Sequence, residues 1–167
     1  AANLQRTARS LSEKNLQVAY GGRVFNSVTA LRDRIPGHFL GATIEDSLLM
    51  LDNLVRLPKP LPRTQDIPSD YQELASEFTE KRGLIETTTM EELKRQGVPT
   101  DYIATANFHL GNELASALEL GSIGFLTDDI VRLKGLLARH NLPEEQLNPY
   151  LITYGESMQK VMNGHST

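Results

Sequence analysis

Leu16-Gln17-Val18-Ala19-Tyr20-Gly21-Gly22-Arg23-Val24-Phe25 is a short, largely apolar run stopped by a glycine pair. Val18 and Tyr20 suit a pleated strand. The two glycines end it, because a residue without a Cβ can turn sharply or let the backbone approach a neighbour closely. Upstream, residues 3–13 place Leu4, Ala8 and Leu11 on one helical face, with Asn15 as the C-cap. Downstream, Ser27 through Arg34 predict a short helix closed by Pro36-Gly37, and His38-Phe39-Leu40 a second strand ending at Gly41. Thr43 then caps a helix whose stripe Ile44, Leu48, Leu51, Leu54 and Val55 is expected to face a core. The order α-β-α-β-α, with connections this short, predicts parallel α/β packing.

Two short parallel strands do not stand alone in water. Parallel sheets are buried on both faces and need neighbouring strands. The chain also begins without Met, inside an amphipathic helix. Residues 1–57 are therefore expected to be the C-terminal half of an α/β domain whose first strands lie upstream. The broken sheet edge then calls for a cover, either that missing half or another chain.

Leu57-Pro58-Lys59-Pro60-Leu61-Pro62-Arg63-Thr64-Gln65-Asp66-Ile67-Pro68 holds half of the chain's 8 prolines. Proline fixes φ and keeps the preceding residue extended, so 58–68 reads as a semi-rigid linker. Beyond it, 69–163 reads as helix throughout, with 164–167 a tail. Ser69-Asp70-Tyr71-Gln72 has capping-box spacing. The helix it opens runs to Gly97, and Gly83 and Thr87-Thr88-Thr89, weak helix formers, leave room there for a bend or break. Further helices are predicted from Pro99 to Gly121, from Thr127 to His140 and from Asn141 to Asn163. Four helices joined by short connections favour an up-and-down bundle.

The chain has 167 residues, 40% of them hydrophobic and 23% charged, with a net charge of -4. This is the composition of a folded globular protein. With no Cys, disulfides, Cys-bound zinc, iron–sulfur clusters and a thiol nucleophile are excluded. No apolar run reaches the roughly 18–20 residues of a membrane span, and Ala1-Ala2-Asn3-Leu4 does not open a signal peptide. The expected location is the cytoplasm. Residues 1–57 carry a small basic excess, whereas residues 68–167 are strongly acidic. Phosphate contacts need clustered Lys and Arg, so the C-terminal part is a poor nucleic-acid surface.

Chemistry-bearing residues are sparse. His38, His109, His140 and His165 include no i, i+4 pair, and there is no H-E-x-x-H, Walker A, G-x-G-x-x-G or G-x-S-x-G pattern. His109 and His140 read as helix histidines, while His38 could approach a ligand at the sheet's edge. Glu91-Glu92, Asp128-Asp129 and Glu144-Glu145 are neighbours about 100° apart on a helix, and so form no ready dyad. Tyr71, Tyr102, Tyr150 and Tyr154 read as core and boundary residues. No catalytic constellation emerges, and the chain reads as a non-enzyme. The remaining feature is the glycine pair: by itself a tight strand-to-helix turn, but placed beyond the carboxyl end of a strand, where open α/β sheets take their ligands.

Val18-Ala19-Tyr20-Gly21-Gly22-Arg23-Val24-Phe25-Asn26, followed by Leu31-Arg32-Asp33-Arg34-Ile35-Pro36-Gly37-His38-Phe39-Leu40-Gly41, resembles the end of the cobalamin (B12)-binding domain. The version in MerR-type bacterial transcription regulators is the most similar. The resemblance implies a flavodoxin-like (Rossmann-like) sheet that holds the nucleotide tail of cobalamin, such as adenosylcobalamin. Of the family's motifs, D-x-H-x-x-G, S-x-L and a later G-G, only the last is present, at Gly21 and Gly22. The resemblance makes Gly21, Gly22, Arg23 and Val24 the cofactor-binding residues. It leaves the cobalt-ligating His outside this chain. It covers residues 1–57; the linker and helices are similar to C-terminal extensions of cobalamin-domain proteins from photosynthetic bacteria.

The implied function is a cobalamin-binding-type regulatory or sensory protein, such as a light-responsive transcription regulator, of which this chain is the C-terminal part. Its bundle and sheet edge would engage a protein partner or a second copy. DNA would be contacted only through an upstream domain, and no membrane insertion is expected. The rival from another class is a structural or interaction protein that reuses the fold without the ligand and docks to a larger assembly. A third reading is a corrinoid-dependent enzyme subunit, a mutase or methyltransferase, whose cofactor carries the chemistry.

Overall fold

The computed structural model describes residues 1–98, 103–126, 135 and 144–163. The chain divides into two units, Ala1–Ile67 and Pro68–Thr167. The described residues are mostly helical, and their only strands are β1 (Ala19–Tyr20) and β2 (His38–Phe39).

In the first unit, α1 (Ala2–Ser12) buries Ala2, Gln5 and Ala8. It ends in a turn where Asn15 adopts a left-handed φ of 56° and the Leu16 amide donates to the Leu11 carbonyl at 3.0 Å. Asn tolerates that conformation better than most side chains, and this bond satisfies a terminal carbonyl. Asn15 thus sits in the closing turn two residues beyond the Glu13 cap. β1 and β2 pair in parallel, Ala19 opposite His38 and Tyr20 opposite Phe39. The His38 amide donates to the Val18 carbonyl and the Leu40 amide to the Tyr20 carbonyl, each at 2.8 Å. Between the strands the chain winds as α2 (Arg23–Ser27) and a 3-10 helix (Thr29–Arg34), two elements where one helix over 27–34 is predicted. Tyr20, Phe25, Val28, Leu31 and Ile35 form the apolar interior.

The expectation of a C-terminal half of a flavodoxin-like (Rossmann-like) parallel sheet domain is corrected here: no multi-strand sheet exists among the described residues. The reason is visible in the strands. Leu16 and Gln17 are exposed and leave the ladder, so the apolar run contributes only Ala19 and Tyr20. Pro36-Gly37 and Gly41 confine the second strand to His38-Phe39. A pair this short has too few ladder bonds to organise a sheet.

α3 (Ile44–Arg56) carries the predicted cap, with the Asp46 amide donating to Thr43 Oγ1 at 3.1 Å. Its apolar stripe does not face a core. No residue of α3 is buried; Ile44, Leu48, Leu51 and Val55 are exposed and Leu54 is half-buried. Residues 57–68 contain no helix or strand, as four prolines dictate. Part of this segment is strapped to the first unit: Gln17 Nε2 donates to the Lys59 carbonyl at 2.7 Å, and Arg34 Nη1 to the Asp66 carbonyl at 2.7 Å.

The described residues of the second unit are mainly helical. α4 (Ser69–Arg95) is one uninterrupted helix of 27 residues, so no break falls at Gly83 or Thr87–Thr89. It begins directly after Pro68 with no side-chain cap, so the capping box over Ser69–Gln72 is not formed. α5 (Ile103–Glu119) and α6 (Glu144–Met162) pack against it. Phe78, Ile85 and Leu93 of α4 meet Ile103, Ala106 and Leu110 of α5 and Leu147, Tyr150 and Tyr154 of α6 in one cluster. Apart from Gly135, which is helical, the predicted third helix, Thr127 to His140, and the starts of the second and fourth lie outside the described residues.

Candidate functional site

The parallel pairing brings the carboxyl ends of β1 and β2 to the same end of the pair. Gly21 and Gly22 follow β1; Leu40 and Gly41 follow β2. A Cβ built on Gly21 would meet nothing within 4 Å, so this residue borders open space. Gly22 has φ 129° and ψ 155°, a conformation that side-chain-bearing residues rarely adopt. The space around Gly22 is not the constraint, since its Cβ would lie an ordinary 4.0 Å from Phe25 Cδ2. Gly41 has φ 102°, and a Cβ there would come within 2.6 Å of Asp46 Cβ in the first turn of α3. Glycine is thus required at 22 by backbone shape and at 41 by both shape and space.

The supports of this end are well packed. The Tyr20 ring lies edge-on to Phe25 at 4.8 Å and tilted to Phe39 at 5.8 Å. Its hydroxyl donates to the Arg32 carbonyl at 3.3 Å. Arg32 Nε donates to the Phe25 carbonyl at 2.8 Å, and its guanidinium carbon sits 4.0 Å over the Phe39 ring, a cation–π contact. Burial raises the Tyr20 pKa; Arg32 opposes the shift and Asp33 reinforces it. The phenol is a packing group near neutral pH, not a base. Asn26 Nδ2 donates to the Ala42 carbonyl at 3.0 Å and ties α2 to the turn after β2.

Of the four predicted site residues, Gly21, Gly22 and Arg23 are exposed and Val24 is half-buried. They are contiguous and lie at one end of the strand pair. Gly41 and Asn26 join them there and were missed as site residues. Both stand in the stretches that carry the cobalamin-domain resemblance, but only the parallel register places them beside the glycine pair. His38, read as able to approach a ligand, is instead buried at 8% exposure, and its Nε2 has no hydrogen-bond partner among the described residues. His140, His165, Tyr102 and Asp128-Asp129 lie outside the described residues.

A second polar cluster, not foreseen, lies in the helical unit. Arg82 on α4 donates through Nε to Glu86 Oε1 at 2.6 Å, through Nη1 to Asn112 Oδ1 at 2.8 Å, and through Nη2 to the Phe108 carbonyl at 3.1 Å. Asn107 on α5 donates to the Glu86 carbonyl at 3.2 Å and accepts from the Tyr150 hydroxyl at 2.9 Å. The Tyr154 hydroxyl is buried without a partner among the described residues. Burial, more than the nearby Glu86, drives the pKa of Tyr154 up; burial also leads for Tyr150, followed by Tyr154 and Glu86. Both phenols are held protonated near neutral pH. A signal was available in Arg82, Glu86 and Tyr150, but adjacency across three helices is not legible from spacing.

Among the described residues no group of three His, Asp or Glu side chains is arranged to hold a metal ion, and no helix is long and apolar enough to cross a membrane. No family model, curated protein or solved structure matches this chain.

Proposed function

We propose that Gly21, Gly22, Arg23 and Val24 line the contact for the nucleotide tail of a cobalamin, in a cytoplasmic regulatory or sensory protein. The observation that supports this reading most is the open space at Gly21, where the chain leaves the carboxyl end of the short parallel strand pair. The residues fit the group as far as they go. A backbone without Cβ at 21 admits a flat aromatic ring or a phosphate at close range. The exposed Arg23 supplies a cation for a phosphate. The packed Tyr20, Phe25 and Arg32 hold the edge rigid. The corrin, when bound, supplies the light- or metabolite-responsive chemistry, and this chain supplies binding and orientation. The acidic helical unit serves assembly with a protein partner.

The test is the visible spectrum of the native full-length protein after mixing with adenosylcobalamin in the dark and desalting, and again after illumination. A retained corrin band is expected, and a change with light makes the protein a photoreceptor. Gly21→Val fills the open space without straining the backbone and should remove the band from a protein with unchanged circular dichroism. Gly22→Val should do the same at some cost in stability. No retained band from the folded wild type, or an unchanged band in Gly21→Val, overturns the assignment.

A further inference from the structure

The proline-rich stretch is held to the first unit at two anchors, and both are built mainly from side-chain donors. Pro58, Pro60 and Pro62 carry no amide hydrogen, and Leu57, Lys59 and Leu61 each precede a proline, so residues 57–62 are extended and poor in donors. The first unit supplies the missing donors. Gln17 Nε2 donates to the Lys59 carbonyl at 2.7 Å. Arg34 Nη1 donates to the carbonyls of Asp66 at 2.7 Å and Gln65 at 3.4 Å. One backbone bond joins them, from the Gln65 amide to the Asp33 carbonyl at 2.9 Å. Behind this anchor the backbone is fixed, because the buried Gln5 donates from Nε2 to the Arg34 carbonyl at 3.0 Å. The strap itself lies at the surface: of residues 57–66 only Leu61 and Thr64 are half-buried, and the rest are exposed.

A segment held this way has two states close in free energy. Exposed hydrogen bonds contribute little, because water competes for both partners. Opening uncovers no fully buried side chain of the strap and asks only Gln17 and Arg34 to turn away. Closing costs little as well, since prolines and the residues before them have few conformations to lose. We propose that residues 57–66 are a releasable strap that sets the length of the tether to the second unit. With the strap closed, only Ile67 and Pro68 separate the Asp66 anchor from α4, about 7 Å of chain. With it open, the tether is residues 57–68 and spans up to about 40 Å. Gln17 and Arg34 thereby decide how far α4 can move from the first unit, with no change in the fold of either. This device does not depend on what binds at the glycine edge.

Hydrogen exchange followed by NMR tests this in the native full-length protein. The Gln65 amide reports on the strap, and the His38 amide, bonded to Val18 in the strand pair, reports on the first unit. In the wild type Gln65 should exchange more slowly than an unstructured amide but at least about tenfold faster than His38, as local opening requires. Arg34→Ala should speed Gln65 by about a further tenfold and leave His38 unchanged. Trypsin gives a second readout, because it cuts after Arg63, between the anchors, and not after Lys59, which precedes a proline. Cleavage at Arg63 should rise in Arg34→Ala and also in Gln17→Ala, which loosens the other anchor and leaves Arg34 in place. The radius of gyration from small-angle scattering should increase in Arg34→Ala. Equal exchange of Gln65 and His38 in the wild type makes the strap a fixed part of the fold and overturns the proposal. So does a Gln65 amide that is unprotected in the wild type, cleavage at Arg63 that neither variant changes, or an unchanged radius of gyration. Faster His38 exchange in Arg34→Ala shows that Arg34 holds the whole unit together, and overturns it as well.

Discussion

Tyr150 and Tyr154 stand one turn apart on α6 with rings 6.1 Å from centroid to centroid, yet their hydroxyls meet opposite fates. That of Tyr150 donates to Asn107; that of Tyr154 meets nothing among the described residues. Removing one partner of a buried hydrogen bond leaves the other to bear its desolvation, whereas removing an unpartnered hydroxyl relieves a cost. Tyr150→Phe should therefore lose about 1–2 kcal/mol in urea denaturation, and Tyr154→Phe should be neutral or gain up to about 1 kcal/mol. Helical spacing puts both tyrosines in the core or at its boundary and does not distinguish them. Which hydroxyl finds Asn107 depends on the facing of α5, 43 residues away in the chain.

Among the elements, α4 shows how tertiary packing overrides local propensity. Gly83 and Thr87-Thr88-Thr89 favour a break. The hydroxyls of Thr87 and Thr89 instead bond back to the Gly83 and Ile85 carbonyls at 2.9 and 2.8 Å, and Thr89 is fully buried within the unit. Burial of Phe78, Ile85 and Leu93 on one face keeps the helix unbroken through its weak centre. Gly83 itself is exposed, and a Cβ there would meet nothing within 4 Å. Gly83→Ala should stabilise the protein by about 0.5–1 kcal/mol, read as a raised midpoint of thermal unfolding. Gly111 on α5 gives the opposite case. A Cβ there would fall 2.5–2.7 Å from the Arg82 guanidinium and displace it from its partners on Glu86, Asn112 and Phe108. Gly111→Ala should come out about 1–2 kcal/mol less stable than Gly83→Ala despite the same gain in helix propensity. For α3 the sequence stripe was legible and its burial was not, because a hydrophobic pattern records which face is apolar and not what covers it.

For the molecule as a whole, the buried phenols set the alkaline limit. Tyr150 and Tyr154 keep their protons in the folded chain well above the ordinary tyrosine range, and Tyr20 is shifted in the same direction. The unfolded chain gives those protons up near pH 10, so above that pH it holds fewer protons than the folded chain. The stabilisation is complete below about pH 10 and falls as pH rises beyond it, by up to about 1.4 kcal/mol per pH unit for each group that stays protonated. Urea midpoints should be level between pH 8 and 9.5, on the order of these tyrosine values, and drop steeply at higher pH. The drop should be shallower in Tyr154→Phe, which removes one of the titrating groups.

From residue order alone followed the helical character of the described residues beyond Pro68, the proline-rich stretch at 57–68, the Thr43 cap and the turn at Gly21-Gly22. Each of these rests on local chemistry: side-chain periodicity, ring-fixed φ, a hydroxyl three residues from an amide, and a missing Cβ. Tertiary structure alone decided that the apolar run ending at Tyr20 yields only two residues of strand, that the stripe of α3 finds no core within the first unit, and that Asn26 and Gly41 come beside the glycine pair. It alone decided, too, that Arg82, Asn107 and Tyr150 share one network. These outcomes depend on which distant segment supplies a hydrogen-bond partner or an apolar neighbour, and that information is held by the packing of elements, not by the spacing of residues within them.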